Sequence, residues 1–202
     1  MTESALVERL RQERATAIVR CDDQEVAASA MEAAVRGGFS IVEFTLTVPG
    51  VFELVQEFSS REGLIVGAGT VLRPQDAEAA VEAGARFLVS PVVDEAVIGR
   101  ALDLGVDVMP GTHTPTEMMR AHAAGAALLK LLPSPAGGPS WLRALLGPLP
   151  FLRVVPTNGV DESNVVEWLE SGAFAAVFAA TLFTPEDLSA ADYSAIENRA
   201  RT

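Results

Sequence analysis

GARFLVSPVVDEAVIGRALDLGVDVM, residues 84–109, contains the unit on which the fold turns. Gly84 stands just before the apolar run Arg86–Val89. A helix-like stretch follows, and Gly105 restarts the pattern before Val106–Met109. Working outward, the same order recurs at Gly38 before Ser40–Leu46 and Gly63 before Leu64–Val66. It returns at Gly125 before Ala127–Leu132 and Gly172 before Phe174–Phe178. From Gly38 to Gly125 the steps are 25, 21, 21 and 20 residues, and the 47 residues up to Gly172 hold two more. The strand this leaves unassigned fits Leu152–Pro156, after the Gly147–Pro150 break, and a first strand fits Thr16–Arg20.

Each glycine reads as a left-handed C′ residue ending a helix of about three turns. Between them, Asp22–Arg36 places Val26, Ala30, Ala33 and Ala34 on one helical face. Pro74 and Pro139 suit first helical turns. Eight strands alternating with helices imply a parallel sheet closed on itself, an α/β fold of the (β/α)₈ TIM-barrel class. An open doubly wound sheet is the alternative. It usually carries a glycine-rich loop after the first strand, where this chain has Arg20-Cys21-Asp22-Asp23. With no linker or shift in composition, residues 1–202 read as one domain. Residues 1–14 form an N-terminal helix (Thr2–Gln12 at its centre), 15–183 the barrel and 184–202 a last helix, whose start is capped by Thr184-Pro185-Glu186-Asp187.

Composition narrows the function classes. A formal charge of −12 disfavours nucleic acid and anionic membranes as partners. A small anionic substrate then requires a local positive pocket. The single cysteine, Cys21, excludes an internal disulfide and a thiolate metal cluster, and reads as a small buried residue. Met1–Arg14 is charged and lacks the apolar core of a signal peptide, and no apolar run is long enough to span a bilayer. The expectation is a soluble cytoplasmic protein.

In such a barrel, functional groups come from the carboxyl ends of the strands. Lys130 is the only lysine in the chain and lies within Ala126–Pro133, the most apolar strand. Alternation puts Leu128, Lys130 and Leu132 on one face and Ala127, Leu129 and Leu131 on the other. An unpaired charge there is costly, so the amine should lose its proton or find a partner. A neutral amine is the nucleophile that imine formation needs. The bland reading is a lysine snorkelling to the rim.

Glu43, in Ile41–Leu46, should point into the barrel with Thr45 while Val42, Phe44 and Leu46 face the helices. That site suits a carboxylate for proton transfer, or alternatively an internal ion pair with an arginine. A charged Glu43 close to Lys130 would favour the ammonium form, so desolvation must prevail for the amine to attack.

Weaker signals surround these two. Gly67-Ala68-Gly69-Thr70 suggests only close backbone approach. Arg20, ending the first strand, suits a carboxylate contact or a rim ion pair. His113 falls near the barrel mouth and His122 in mid-helix, too few histidines for a metal site.

Glu43-Phe44-Thr45-Leu46, Gly67–Leu72, Pro110-Gly111 with Thr114 and Glu117, Lys130 with Pro133, and Pro156-Thr157 with Gly159 occur in this order. Together they resemble the 2-keto-3-deoxy-6-phosphogluconate (KDPG) and 4-hydroxy-2-oxoglutarate aldolases, over about Ala15 to Phe183. The resemblance implies a class I aldolase, a homotrimer without metal or organic cofactor. It would cleave a 2-keto-3-deoxy sugar acid (phosphate) or 4-hydroxy-2-oxoglutarate to pyruvate and an aldehyde, glyceraldehyde 3-phosphate or glyoxylate. It implies Lys130 as the imine-forming lysine, Glu43 as general acid/base, and Thr70 as a contact to the pyruvate carboxylate.

The remaining substrate-binding positions it suggests are Arg20, Thr47, His113, Thr157, Asn158, Gly159, Ala179 and Ala180. Three departures stand out. Thr47 replaces an arginine whose charge Arg20 can supply. Asn158 replaces a turn glycine, and Phe178-Ala179-Ala180 replaces a Gly-Gly-Ser strand end that grips phosphate. Competing readings are a barrel aldolase or lyase on another unphosphorylated keto acid, a metal-dependent aldolase, and a catalytically silent sugar-acid-binding or assembly barrel.

Overall fold

The computed structural model describes residues 3–202. Its strands are β1 Ala15–Val19, β2 Ile41–Thr45, β3 Ile65–Gly69, β4 Phe87–Ser90, β5 Asp107–Thr112, β6 Leu129–Leu131, β7 Val154–Pro156 and β8 Ala176–Phe178. Every hydrogen-bonded neighbour pair is parallel, in the order β7-β6-β5-β4-β3-β2-β1-β8. Just ahead of β8, the Phe174 N–H donates to the Val154 carbonyl of β7 at 2.8 Å, bringing the two edges of the sheet together. The expected eight-stranded barrel is what forms.

Helix α1, Ala5–Glu13, precedes the barrel. Between strands run α2 Gln24–Gly37, α3 Val51–Ser59, α4 Pro74–Glu82, α5 Glu95–Asp103, α6 Pro115–Ala123, α7 Gly138–Leu146 and α8 Val165–Glu170. All six repeat glycines have positive φ, from 75° at Gly105 to 121° at Gly38, a region that side chains rarely enter. Most of the connecting helices span nine residues, shorter than three full turns.

Two expectations at the chain ends need correcting. The extra helix begins at Ala5, where the Ser4 side chain caps the Val7 N–H, rather than earlier, and Thr2 lies outside the described residues. The last segment forms two helices, α9 Pro185–Ala190 and α10 Tyr193–Ala200. Ala191 takes a left-handed conformation (φ 52°) that ends the first, and the Asp192 side chain caps the second by accepting from the Ala195 N–H.

Strand alternation sorts the core into two shells. Val19, Phe44, Val66, Leu88, Val108, Leu129 and Val154 pack outward against the helices. Ile18, Ile41, Phe87, Val89, Met109, Leu128, Val155 and Val177 fill the interior. Gly67 makes room for the Phe87 ring, since a Cβ there would fall 2.4 Å from it. Leu6, Val7 and Leu10 of α1 belong to the interior shell and plug the barrel at the amino ends of its strands. Burying side chains of this size stabilises by roughly 1.5–3 kcal/mol each. The plug leaves the carboxyl-end mouth as the open one. No helix among the described residues is long and apolar enough to cross a membrane.

Candidate active site

Glu43 occupies the middle of β2, between outward-facing Val42 and Phe44. It is 1 % exposed and pairs in register with Ile18 of β1 and Gly67 of β3. Its carboxyl group reaches over Gly69: a Cβ there would lie 1.7 Å from Glu43 Oε1. The glycine run after β3 therefore admits a side chain, where sequence suggested backbone approach alone. Oε2 is buried without any hydrogen-bond partner. A buried acceptor left unpaired is costly, and such groups concentrate where chemistry is done.

Lys130 stands at the centre of β6, with Leu129 and Leu131 in the outer shell and Leu128 in the inner one. It is 6 % exposed and pairs with Gly111 and Val155. Gly111 is required there, because a Cβ would fall 2.3 Å from the Pro91 carbonyl oxygen. The Thr112 hydroxyl donates to the Lys130 carbonyl at 3.1 Å, which fixes the backbone beneath the amine. Among the described residues the amine itself makes no hydrogen bond or salt bridge, so the snorkelling and ion-pair readings both fail.

Burial pushes the Glu43 carboxyl above its ordinary value, against the pull of Lys130 and then Arg20. Burial likewise pushes the Lys130 amine down; Glu43 opposes this and Arg20 reinforces it. Desolvation thus prevails at both groups and favours an uncharged pair over an ion pair. A neutral amine beside a protonated or proton-sharing carboxyl can attack a carbonyl and then exchange protons with what it captures.

A cavity of about 410 Å³ opens onto Lys130 at the carboxyl ends of the strands. Arg20, Thr157 and Asn158 supply the rest of its polar side; Ile18, Leu132, Phe183 and Leu188 supply apolar wall, with Ala179 and Ala180 between. Arg20 is exposed and, among the described residues, has neither a salt-bridge nor a hydrogen-bond partner. A larger cavity of about 590 Å³, around Ser4, Arg9 and Asp107, lies at the amino ends, away from these groups. The smaller cavity is the candidate site because barrel chemistry gathers at carboxyl ends.

The family model for KDPG and KHG aldolase matches residues 6–199. The chain belongs to that family. It is 34 % identical over 170 residues to the 2-dehydro-3-deoxy-6-phosphogalactonate aldolase of Escherichia coli, covering 83 % of each chain. It is 35 % identical over 161 residues to the 2-dehydro-3-deoxy-phosphogluconate aldolase of Pseudomonas aeruginosa, covering 79 % of this chain and 73 % of that one. The solved native KDPGal structure superposes with a TM-score of 0.84 at 30 % identity, covering 93 % of this chain and 90 % of that one.

Of the residues singled out in sequence, this KDPG/KHG-family barrel brings Arg20, Lys130, Thr157, Asn158, Ala179 and Ala180 to one cavity, with Glu43 buried close enough to act on Lys130 and Arg20 electrostatically. Thr47, Thr70, His113 and Gly159 do not line it. Thr70 follows β3 in a left-handed conformation (φ 63°), and Thr47 is exposed, its hydroxyl 2.8 Å from that of Thr45. His113 Nδ1 lies 3.0 Å from the Pro133 carbonyl, tying β5's end to the loop after β6. Gly159 continues the turn that Asn158 enters, both at positive φ.

Sequence reasoning missed Phe183 and Leu188 as wall residues. The capped Thr184-Pro185 helix start was the available signal, since it returns the chain to the mouth directly after β8.

The Gly69 contact yields a sharp expectation. In Gly69→Ala the new methyl displaces the Glu43 carboxyl, so kcat for keto-acid cleavage falls by about 10²-fold. Pyruvate still forms a borohydride-reducible adduct. Loss of that adduct together with kcat would mean that Gly69 serves the fold and not the carboxyl.

Proposed function

We propose that this chain is a class I aldolase that cleaves a 2-keto-3-deoxy sugar acid, or 4-hydroxy-2-oxoglutarate, to pyruvate and an aldehyde. The observation that carries the proposal is a lysine held uncharged by burial, without a partner, at the floor of an open cavity. The Lys130 Nζ adds to the C2 carbonyl, and loss of water from the carbinolamine gives a protonated imine. That imine is an electron sink: the C3–C4 bond breaks, its electron pair moves into the enamine, and the C4 hydroxyl proton passes to Glu43, directly or through a water. Glu43 returns the proton to C3, water hydrolyses the imine, and pyruvate leaves with the amine regenerated.

Arg20, the guanidinium without a partner at the cavity, binds the keto-acid carboxylate, with Thr70 as a second contact. Assembly as a homotrimer and a place in the cytoplasm belong to the same reading and rest on likeness to the family.

The test couples pyruvate release to NADH oxidation by lactate dehydrogenase, with 2-keto-3-deoxy sugar acids and 4-hydroxy-2-oxoglutarate as substrates. Release above that of a Lys130→Ala control is expected. Arg20→Ala should raise KM by roughly 10- to 100-fold with a smaller change in kcat, since its charge-assisted bonds act in ground and transition states alike. A panel of 2-keto acids that yields no pyruvate would leave a catalytically silent barrel.

A further inference from the structure

Resting on the aldolase reading, we infer that the aldehyde half of the substrate carries no charge, so the preferred keto acid is an unphosphorylated 2-keto-3-deoxy sugar acid. The inference comes from counting what the cavity can bind. Lys130 is consumed by the imine, and Arg20 is the one remaining cation on the wall. A 2-keto acid already brings one carboxylate, which takes that guanidinium.

Beyond Lys130 the wall is Phe183, Leu188, Ala179 and Ala180. Phe183 is 4 % exposed and belongs to the outer core, so it does not swing aside for a charged group. The hydroxyl nearest in sequence is turned away: Thr181 Oγ1 donates to the Val160 carbonyl at 2.8 Å. Thr181 lines a separate groove on the flank of the barrel.

What remains for the distal end is the Asn158 side chain, a neutral amide without a partner among the described residues, held at the cavity by its left-handed backbone. An amide can donate to and accept from a sugar hydroxyl. A phosphate or second carboxylate would lie against the apolar wall with only that amide, a poor exchange for its hydration. Two or three hydroxyls meet Asn158 on one side and leave carbon to the phenyl and leucyl faces on the other.

The experiment runs the reaction toward condensation. The enzyme is given pyruvate and, in parallel, glyceraldehyde, glyceraldehyde 3-phosphate or glyoxylate, and kcat/KM for each aldehyde is measured. Borohydride trapping of pyruvate is scored separately on the same preparation. Glyceraldehyde should exceed both anionic aldehydes by about tenfold or more. In Leu188→Arg, which adds a cation to the wall, the ratio should move toward glyceraldehyde 3-phosphate. An enzyme that traps pyruvate but favours an anionic aldehyde, or condenses no uncharged one, overturns the inference and leaves the aldolase reading standing. An enzyme that traps no pyruvate overturns both.

Discussion

Replacing Lys130 with methionine abolishes turnover, with kcat for keto-acid cleavage falling by about 10⁴-fold or more, because no other side chain in the sequence offers an amine. Methionine keeps the length of the side chain and removes the nitrogen, so the loss is chemical. Folding behaves in the opposite sense. Lys130 is buried with its amine held below the ordinary 10.5. The unfolded chain therefore binds more protons than the folded one between the lowered value and 10.5. Stability contributed by this group is complete above 10.5 and is lost as pH falls through the folded-state value. The Lys130→Met protein should thus unfold at equal or higher urea than the parent at neutral pH. Its stability should also lack the parent's rise toward pH 10. The rate of imine trapping in the parent should likewise set in well below the pH at which a free lysine deprotonates. A trapping rate that climbs only near 10.5 would contradict the uncharged amine.

The second large effect belongs to Glu43→Gln. The amide matches the carboxyl in shape and still fits over Gly69, but it cannot carry the proton between the C4 hydroxyl and C3. A loss of about 10²- to 10⁴-fold in kcat is expected. Pyruvate should still be trapped on Lys130 by borohydride, while exchange of its methyl protons in deuterium oxide, followed by NMR, should drop in parallel with kcat. Exchange that persists at the parental rate would assign proton transfer to another group.

The titration of Glu43 has its own signature. Its folded-state value is raised above 4.5, so its contribution to stability is complete below 4.5 and is lost as pH rises through the raised value. Glu43→Gln should remove that decline.

The barrel was legible because a left-handed helix ending has a residue signature. Gly38, Gly63, Gly84, Gly105, Gly125 and Gly172 each announce a strand, and the structure holds each at positive φ. Lys130 and Glu43 were legible because a charge in an apolar strand conflicts with local pattern, and such conflicts mark function. The facing of β2 and β6 followed from alternation alone.

What escaped has a common cause. Nothing in the local sequence of Gly69 tells that a glutamate from the neighbouring strand lies over it; the contact exists only once β2 and β3 are in register. The apolar wall from Phe183 and Leu188 depends on where the chain turns after β8. The break between α9 and α10 rests on Ala191, a left-handed residue that is not a glycine and so leaves no mark in composition. Thr47, Thr70, His113 and Gly159 reach the mouth but not the cavity wall, a distinction of a few ångströms that spacing in sequence does not carry.

Incubation with pyruvate and borohydride, followed by intact mass and peptide mapping, tests the central claim most directly. With one lysine in the chain, only the N-terminal amine competes for the label. A stable pyruvate adduct on the Lys130 peptide, absent from Lys130→Ala, is the predicted result. No adduct with pyruvate or with longer 2-keto acids, in protein that remains folded, would contradict the imine mechanism and with it the reading of this barrel as an aldolase.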